Sequence, residues 1–427
     1  MQKQLTLLLL ILTFNFTFSQ DYFPTNDGIK FDNTNYTTFT NAKIYSSHNT
    51  TIENGSMVVK DGKIVQIGKS VEIPKNSTII DLEGKSIYPS FIDIYSKFGV
   101  KAPERKSGDR RSPQYNNTRK GYYWNDHIRP EQNAIEFFKY DDRKAKELIK
   151  NGFGAVNTHL SDGIIRGKGV LIALTDSGDS NNIIDDNSTQ YLSLSKSVTS
   201  SQSYPSSIMG VFALLKQVYF DAEWYSKGLS KTNDKSLEAL NENKNLIQIF
   251  EAKNKINSLR IDKIGDEFDI QYVLLGGGDE YERIEEIKAT NASYILPVNF
   301  PDAYDVEDTY SANILQLSDM REWNQKPTNP SHLEKNNIVF AITLDGLKSP
   351  NNLKENIIKA IDHGLTKEKA LEALTSIPAK LIGRNDVLGY LKKDYLANFL
   401  ITSGEIFDNN TVIYENWVKG NRNIINS

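Results

Sequence analysis

At 427 residues the chain is too long for one small core, so one large α/β unit with an accessory domain, or two to three domains, is expected. Hydrophobic residues make up 39% and charged residues 24%, an ordinary globular balance, and a net charge of −4 gives no electrostatic case for nucleic-acid binding. With no cysteine, disulfides and thiolate metal sites are excluded.

The opening MQKQLTLLLLILTFNFTFSQ sets Lys3 before an apolar run from Leu5 to Phe18, with Thr17 and Ser19 at the spacing a signal peptidase reads. This predicts a signal peptide over 1–19, cleaved before Gln20, and an exported chain, periplasmic or extracellular. The run is too short for a good membrane span, and no later stretch is long and apolar enough to cross a bilayer. From Tyr36 to Asp81, FTNAKIYSS, ENGSMVVKDGKIVQIG and STIIDLEGKSIYP alternate apolar and polar residues around Asn-Gly, Asp-Gly and Glu-Gly. They predict a small antiparallel sheet with turns at those pairs. After Pro89, IDIY begins a buried strand.

Residues 101–120 carry seven Lys/Arg against two acids without apolar period and predict a solvated basic loop. EQNAIEFFKYDDRKAKELIKNG predicts a helix ending at Gly152. FGAVNTHL and DGIIRGKGVLIAL read as extended. SSIMGVFALLKQVYFDAEWYSKG has apolar residues at helical spacing. Strands follow in NLIQIFEA, FDIQYVLLGGG, SYILPVNF and IVFAITLDG, with helices near 253–260, in ERIEEIKATN, in LKENIIKAIDHG and in LTKEKALEALTSIPAKLIG. The Asp-, Asn- and Pro-rich 300–335 predicts a surface loop. YLANFLITSG and TVIYENWVKGNRNII are again strand-like. This alternation predicts an α/β fold with a (β/α)8, TIM-like barrel over 89–384. A small β-sandwich side domain is expected from both chain ends, 20–88 and 385–427.

The segments MVVKDGKIVQIG and IIDLEGKSIYPSFID, together with GLTKEKALEALTSIPAKLIG and VLGYLKKDYLANFLI, resemble the entry and exit of the amidohydrolase superfamily barrel. The likeness is greatest to the imidazolonepropionase-like branch and runs over nearly all of the mature chain. In that family the exit ends in Gly-x-x-Ala-Asp-Leu; here Asp394, Ala397, Asn398 and Phe399 stand in those places. The resemblance implies hydrolysis of C–N bonds in cyclic amides, dipeptides and related compounds. A metal there lowers the pKa of a bound water, and an aspartate after the eighth strand takes its proton.

The family's first-strand motif is Pro-Gly-Phe-Ile-Asp-x-His-x-His, whose two histidines hold the metal. In YPSFIDIYSKFG those places carry Tyr95 and Lys97, and an ammonium repels a metal. Where the fifth strand should bring a histidine, NLIQIFEA offers Glu251; where the sixth should, YVLLGGG offers Gly276 and Gly277. Only Asp345 in IVFAITLDG keeps its expected place and role. Zinc, the family's cofactor, wants three protein ligands and an open position, so no metal or other cofactor is expected. Glu251 and Asp345 could bind a hard cation weakly or act as an acid/base pair.

Of the five histidines, His48, His127, His332 and His363 read as surface or capping residues. His159, ending FGAVNTHL, is the one placed for a pocket role. Lys97 is expected to stand in for the metal's charge by pairing with Asp345 across the barrel mouth. Three functions follow. The first is a catalytically silent module that supports an active amidohydrolase module, another partner or its own oligomer. The second is an active C–N hydrolase with atypical metal use. The third is a small-ligand or peptide-binding protein whose mouth is furnished by the basic loop and the aromatics of GYYWND.

Overall fold

The computed structural model describes residues 35–105, 113–115, 119–175 and 179–426. The expected signal peptide lies outside them, as does part of the basic stretch 101–120. In chain order the strands are β1 (Tyr36–Ser47), β2 (Thr50–Lys60), β3 (Lys63–Gly68), β4 (Ser77–Asp81), β5 (Ser86–Pro89) and β6 (Phe91–Ser96). Then come β7 (Phe153–Thr158), β8 (Ile165–Lys168), β9 (Val170–Ala173), β10 (Ile183–Asp185), β11 (Thr189–Ser193) and β12 (Ile247–Glu251). The chain closes with β13 (Val273–Leu275), β14 (Ser293–Pro297), β15 (Phe340–Thr343), β16 (Phe399–Thr402), β17 (Ile413–Val418) and β18 (Asn421–Ile424).

The two chain ends share one sheet, in the order β18-β17-β16-β5-β1-β2-β3, with β4 also paired to β1. The join is β16 running antiparallel to β5, Phe399 opposite Pro89 and Ile401 opposite Ile87. Phe39, Phe399 and Trp417 pack edge-on and stacked beneath it. Asp61-Gly62 makes the tight β2–β3 turn, both residues at positive φ. Asn54-Gly55, expected as a turn, lies inside β2, where the register to β1 shifts; it is a bulge. The sheet is mixed rather than antiparallel, because β4 and β5 both run parallel to β1.

Two further sheets carry the central part of the chain. One has the order β10-β9-β7-β6, the other β15-β14-β13-β12-β11-β8. From β11 to β15 every pairing is parallel, as helical crossovers require. Inward side chains of β6, β7, β9 and β11 to β15 meet in one apolar cluster that includes Tyr95, Tyr191, Ile249 and Ile295. β6 and β15 are tied directly: the Asp93 carboxylate accepts from Thr343 Oγ1 at 2.8 Å and from Leu344 N at 3.3 Å.

Helix bounds differ from the sequence reading in three segments. In 131–152 the α-helix is Asp142–Lys150, started by the Asp141 carboxylate accepting from Lys144 N. LTKEKALEALTSIPAKLIG is two helices, Lys367–Leu374 and Ser376–Leu381, broken at Thr375. The segment 300–335 is not a plain loop: it holds helices Thr309–Ile314, Leu317–Gln325 and Asn329–Lys335.

Candidate functional site

The C-terminal ends of the parallel strands gather the residues singled out from sequence. Asp93, Tyr95, Lys97 and Asp345 line one cleft of about 310 Å³, with Phe98 and Leu344 as apolar wall. Lys97 and Asp345 lie 248 positions apart in sequence, yet Lys97 Nζ donates to Asp345 Oδ1 at 3.1 Å. The ammonium is half exposed, so the pair is partly screened by water and its worth is modest.

Beneath it lies a drier and stronger network. Tyr95 Oη donates to Glu251 Oε2. Arg166 Nη1 reaches both, at 2.6 Å to Glu251 Oε2 and 3.0 Å to Tyr95 Oη. Lys253, where the backbone turns left-handed (φ +63°), brings its ammonium to 2.6 Å from Glu251 Oε1. Tyr95, Arg166 and Glu251 are all buried. Burial alone would raise the Glu251 pKa, but the Arg166 charge and the Lys253 and Tyr95 hydrogen bonds overcome it and hold the group at about 2. Glu251 is therefore a carboxylate committed to two cations. It is neither a free metal ligand nor one half of an acid/base pair with Asp345, which has its own cation.

Asp93 behaves oppositely. Burial pushes its carboxyl up to about 6, against hydrogen bonds from Tyr95 N, Thr343 and Leu344 that favour the charge. His159 follows β7 and is fully enclosed, its ring stacked on Tyr191 at 4.0 Å and tilted against Tyr95 at 4.4 Å. Burial, then the Arg166 charge, keeps it neutral, its pKa well below the usual histidine value. Neither ring nitrogen has a hydrogen-bond partner among the described residues. His159 is thus part of the floor rather than an open pocket residue.

Gly276 and Gly277 do not line the Lys97–Asp345 cleft. They make room for Glu280, a buried carboxyl that accepts from Gly277 N at 2.8 Å and from Asn329 Nδ2 at 2.7 Å. A Cβ on Gly276 would collide with that carboxyl. The aromatics of GYYWND also lie elsewhere: Tyr123 and Trp124 pack on each other, Trp124 stacks on Tyr204, and none of them lines the cleft. His127 is no surface residue; it is buried, its Nδ1 accepting from Ser197 N at 3.1 Å. His363 does cap, following helix Leu353–Asp362 with Nδ1 2.7 Å from Lys359 O.

Sequence reasoning missed Asp93, Arg166, Lys253 and Tyr191. A signal for Arg166 exists: a lone arginine in the apolar, glycine-broken GIIRGKGVLIAL needs a buried counter-charge. Tyr191 carried none, since an aromatic in a strand is ordinary core.

No family model matches the sequence. Among solved structures, an amidohydrolase from Thermotoga maritima MSB8 superposes with a TM-score of 0.71 at 18% identity, covering 90% of this chain and 99% of that one. The fold is that of the amidohydrolases. A β-aspartyl dipeptidase from Fervidobacterium islandicum AW-1 aligns with a TM-score of 0.53 at 14% identity, over 91% of this chain and 97% of its own. A dihydroorotase from Caldicellulosiruptor saccharolyticus is 43% identical over 56 residues, a stretch that is 13% of this chain and 13% of that protein.

The donor set does not fit the zinc of an amidohydrolase. Zinc needs about three nitrogen, sulfur or carboxylate donors converging on an open position. Among the described residues, no group of three or more histidine, cysteine, aspartate or glutamate side chains is arranged to hold a metal ion. At the mouth the carboxylates Glu251 and Asp345 already face Arg166, Lys253 and Lys97, whose charges repel a cation.

Proposed function

We propose that this chain is an amidohydrolase-fold module that is silent in metal-dependent C–N hydrolysis and supports a partner, either an active module or another chain. The observation that carries the reading is the buried Tyr95–Arg166–Glu251 network, closed by Lys253 and roofed by Lys97–Asp345. It occupies the strand ends where the resemblance expects metal ligands, and every charged group in it has an opposite charge. An aspartate that should take a proton from a metal-bound water instead neutralises a lysine.

In this reading the central sheets close as a (β/α)8 barrel. What supports closure is the single apolar cluster fed by β6, β7, β9 and β11 to β15, together with the Asp93 bonds from β6 to β15. The side sheet curls over Phe39, Phe399 and Trp417 as a sandwich. The apolar run from Leu5 to Phe18 supports export.

The test is elemental mass spectrometry on the purified chain, with and without added zinc, beside a screen of dipeptide and cyclic-amide hydrolysis. Metal far below one per chain and no turnover is the expected result. Stoichiometric zinc with turnover overturns the reading and makes the chain a hydrolase with atypical ligands.

A further inference from the structure

The segment between β14 and Asn329 presents apolar side chains that no described residue covers. Helix Leu317–Gln325 has no buried residue. It exposes Leu317 (58%), Met320 (43%) and Trp323 (38%) at successive three-residue steps, so the three share one side of the helix. Tyr310 (75%) and Ile314 (64%) extend the exposed apolar run on helix Thr309–Ile314. Isolated surface apolar residues are normal, but several large ones on one side of one helix mark an interaction surface. Most helical stability comes from packing an apolar face, and this helix has no buried face among the described residues.

The patch has a definite electrostatic character. Residues 302–326 carry Asp302, Asp305, Glu307, Asp308, Asp319 and Glu322 against Arg321 and Lys326. Two of these acids have cations nearby, Lys348 at Asp302 and Lys326 at Glu322. Between this helix and the turn after β13 lies a groove of about 710 Å³ whose charges are matched, Lys255 with Asp279 and Glu282 and Lys326 with Glu322, so the acidic excess lies on the segment and not in the groove. An apolar ridge on a segment with six acids against two bases suits a surface of the opposite kind and disfavours an anionic membrane.

We infer that segment 302–326 is a docking face for a separate polypeptide presenting an amphipathic helix, apolar along one side and flanked by Lys and Arg. The apolar side packs on Ile314, Leu317 and Met320; the flanking cations meet the acids of the rim. This goes beyond the proposed loss of metal chemistry and stands whether or not the chain hydrolyses anything.

The probe is a fluorescent Leu/Lys amphipathic helical peptide, with Ser/Lys and Leu/Glu versions of the same length, titrated against the full chain by anisotropy. The Leu/Lys peptide is expected to bind about tenfold more tightly than either control, and more weakly as salt rises. Ile314→Ser/Leu317→Ser/Met320→Ser should lose about tenfold in affinity, and Asp305→Asn/Glu307→Gln should flatten the salt dependence. Equal binding of all three peptides, or unchanged binding by the triple variant, overturns the inference. So does a dimer in sedimentation velocity that the triple variant converts to monomer, since a second copy then owns the face. Flotation with phosphatidylcholine vesicles that the triple variant abolishes overturns it too, in favour of a lipid surface.

Discussion

Glu251 shows how one side chain can hold a charge in a dry place. Its carboxylate touches Arg166, Lys253 and the Tyr95 hydroxyl, and all the attraction it has lost from water is returned by them. Replacing Arg166 leaves the buried Glu251 with only the exposed Lys253 as counter-charge, and replacing Glu251 leaves Arg166 buried without one. Arg166→Met should lower unfolding stability by about 3–5 kcal/mol in urea titrations, and Arg166→Met/Glu251→Gln by much less than the two single changes together. The pH dependence has a sign. Glu251 is held at about 2 in the folded chain, below its ordinary 4.5, so its contribution is present above 4.5 and is lost as pH falls toward 2. Asp93 is pushed from 3.8 to about 6, so its contribution is full below 3.8 and is lost as pH rises through 6. Urea midpoints across that range should therefore fall on both sides of a maximum near pH 4 to 5, and Arg166→Met should flatten the acid limb.

At the scale of elements, the turn after β13 explains why this site is not one substitution away from a metal centre. The chain doubles back through Gly276 to Gly278 and tucks the Glu280 carboxyl against Gly276, where no Cβ fits. Gly276→Ala should cost about 1–3 kcal/mol in thermal or urea unfolding through this overpacking. A histidine placed there must first displace Glu280 and strand Asn329 Nδ2, its hydrogen-bond donor. The same scale shows what periodicity reads. The helix Ile208–Ser226 was legible because its buried residues Val211, Leu215, Val218 and Ala222 recur at helical spacing. Helix Leu317–Gln325 was not, because it buries nothing and its start is a capping exchange between Gln316 and Asp319 inside a polar stretch. Asn54-Gly55 misled for a related reason. Asn-Gly favours positive φ, which a bulge uses as readily as a turn, and only the pairing of β1 with β2 decides between them.

Across the whole molecule, a buried amide helps to sew the sheet built from both chain ends to the central strands. Asn416 Oδ1 accepts from Ser90 Oγ at 2.8 Å, while its Nδ2 donates to Ile149 O at 3.0 Å and Phe153 O at 2.9 Å. All four residues meet where β17, β6, β7 and helix Asp142–Lys150 converge. Asn416→Ala removes three buried hydrogen bonds, although Ile149 O keeps the Gly152 N–H, and a loss of at least about 2 kcal/mol in urea-unfolding stability is the expected outcome. A loss below about 0.5 kcal/mol would mean that water takes the amide's place without cost.

By itself the sequence determined the α/β alternation, most strand positions, the residue types at the strand ends and the shortage of metal-ligating side chains there. These are local properties, written in period, turn residues and composition. Only the tertiary structure decided which charges meet. Arg166, 85 positions from Glu251, and Lys97, 248 positions from Asp345, find their partners because strands distant in the chain end side by side. The burial that sends Glu251 to about 2 and Asp93 to about 6 likewise belongs to the packed interior and to no residue alone. Electrostatic energy depends on distance and on the exclusion of water, and a linear order of residues specifies neither.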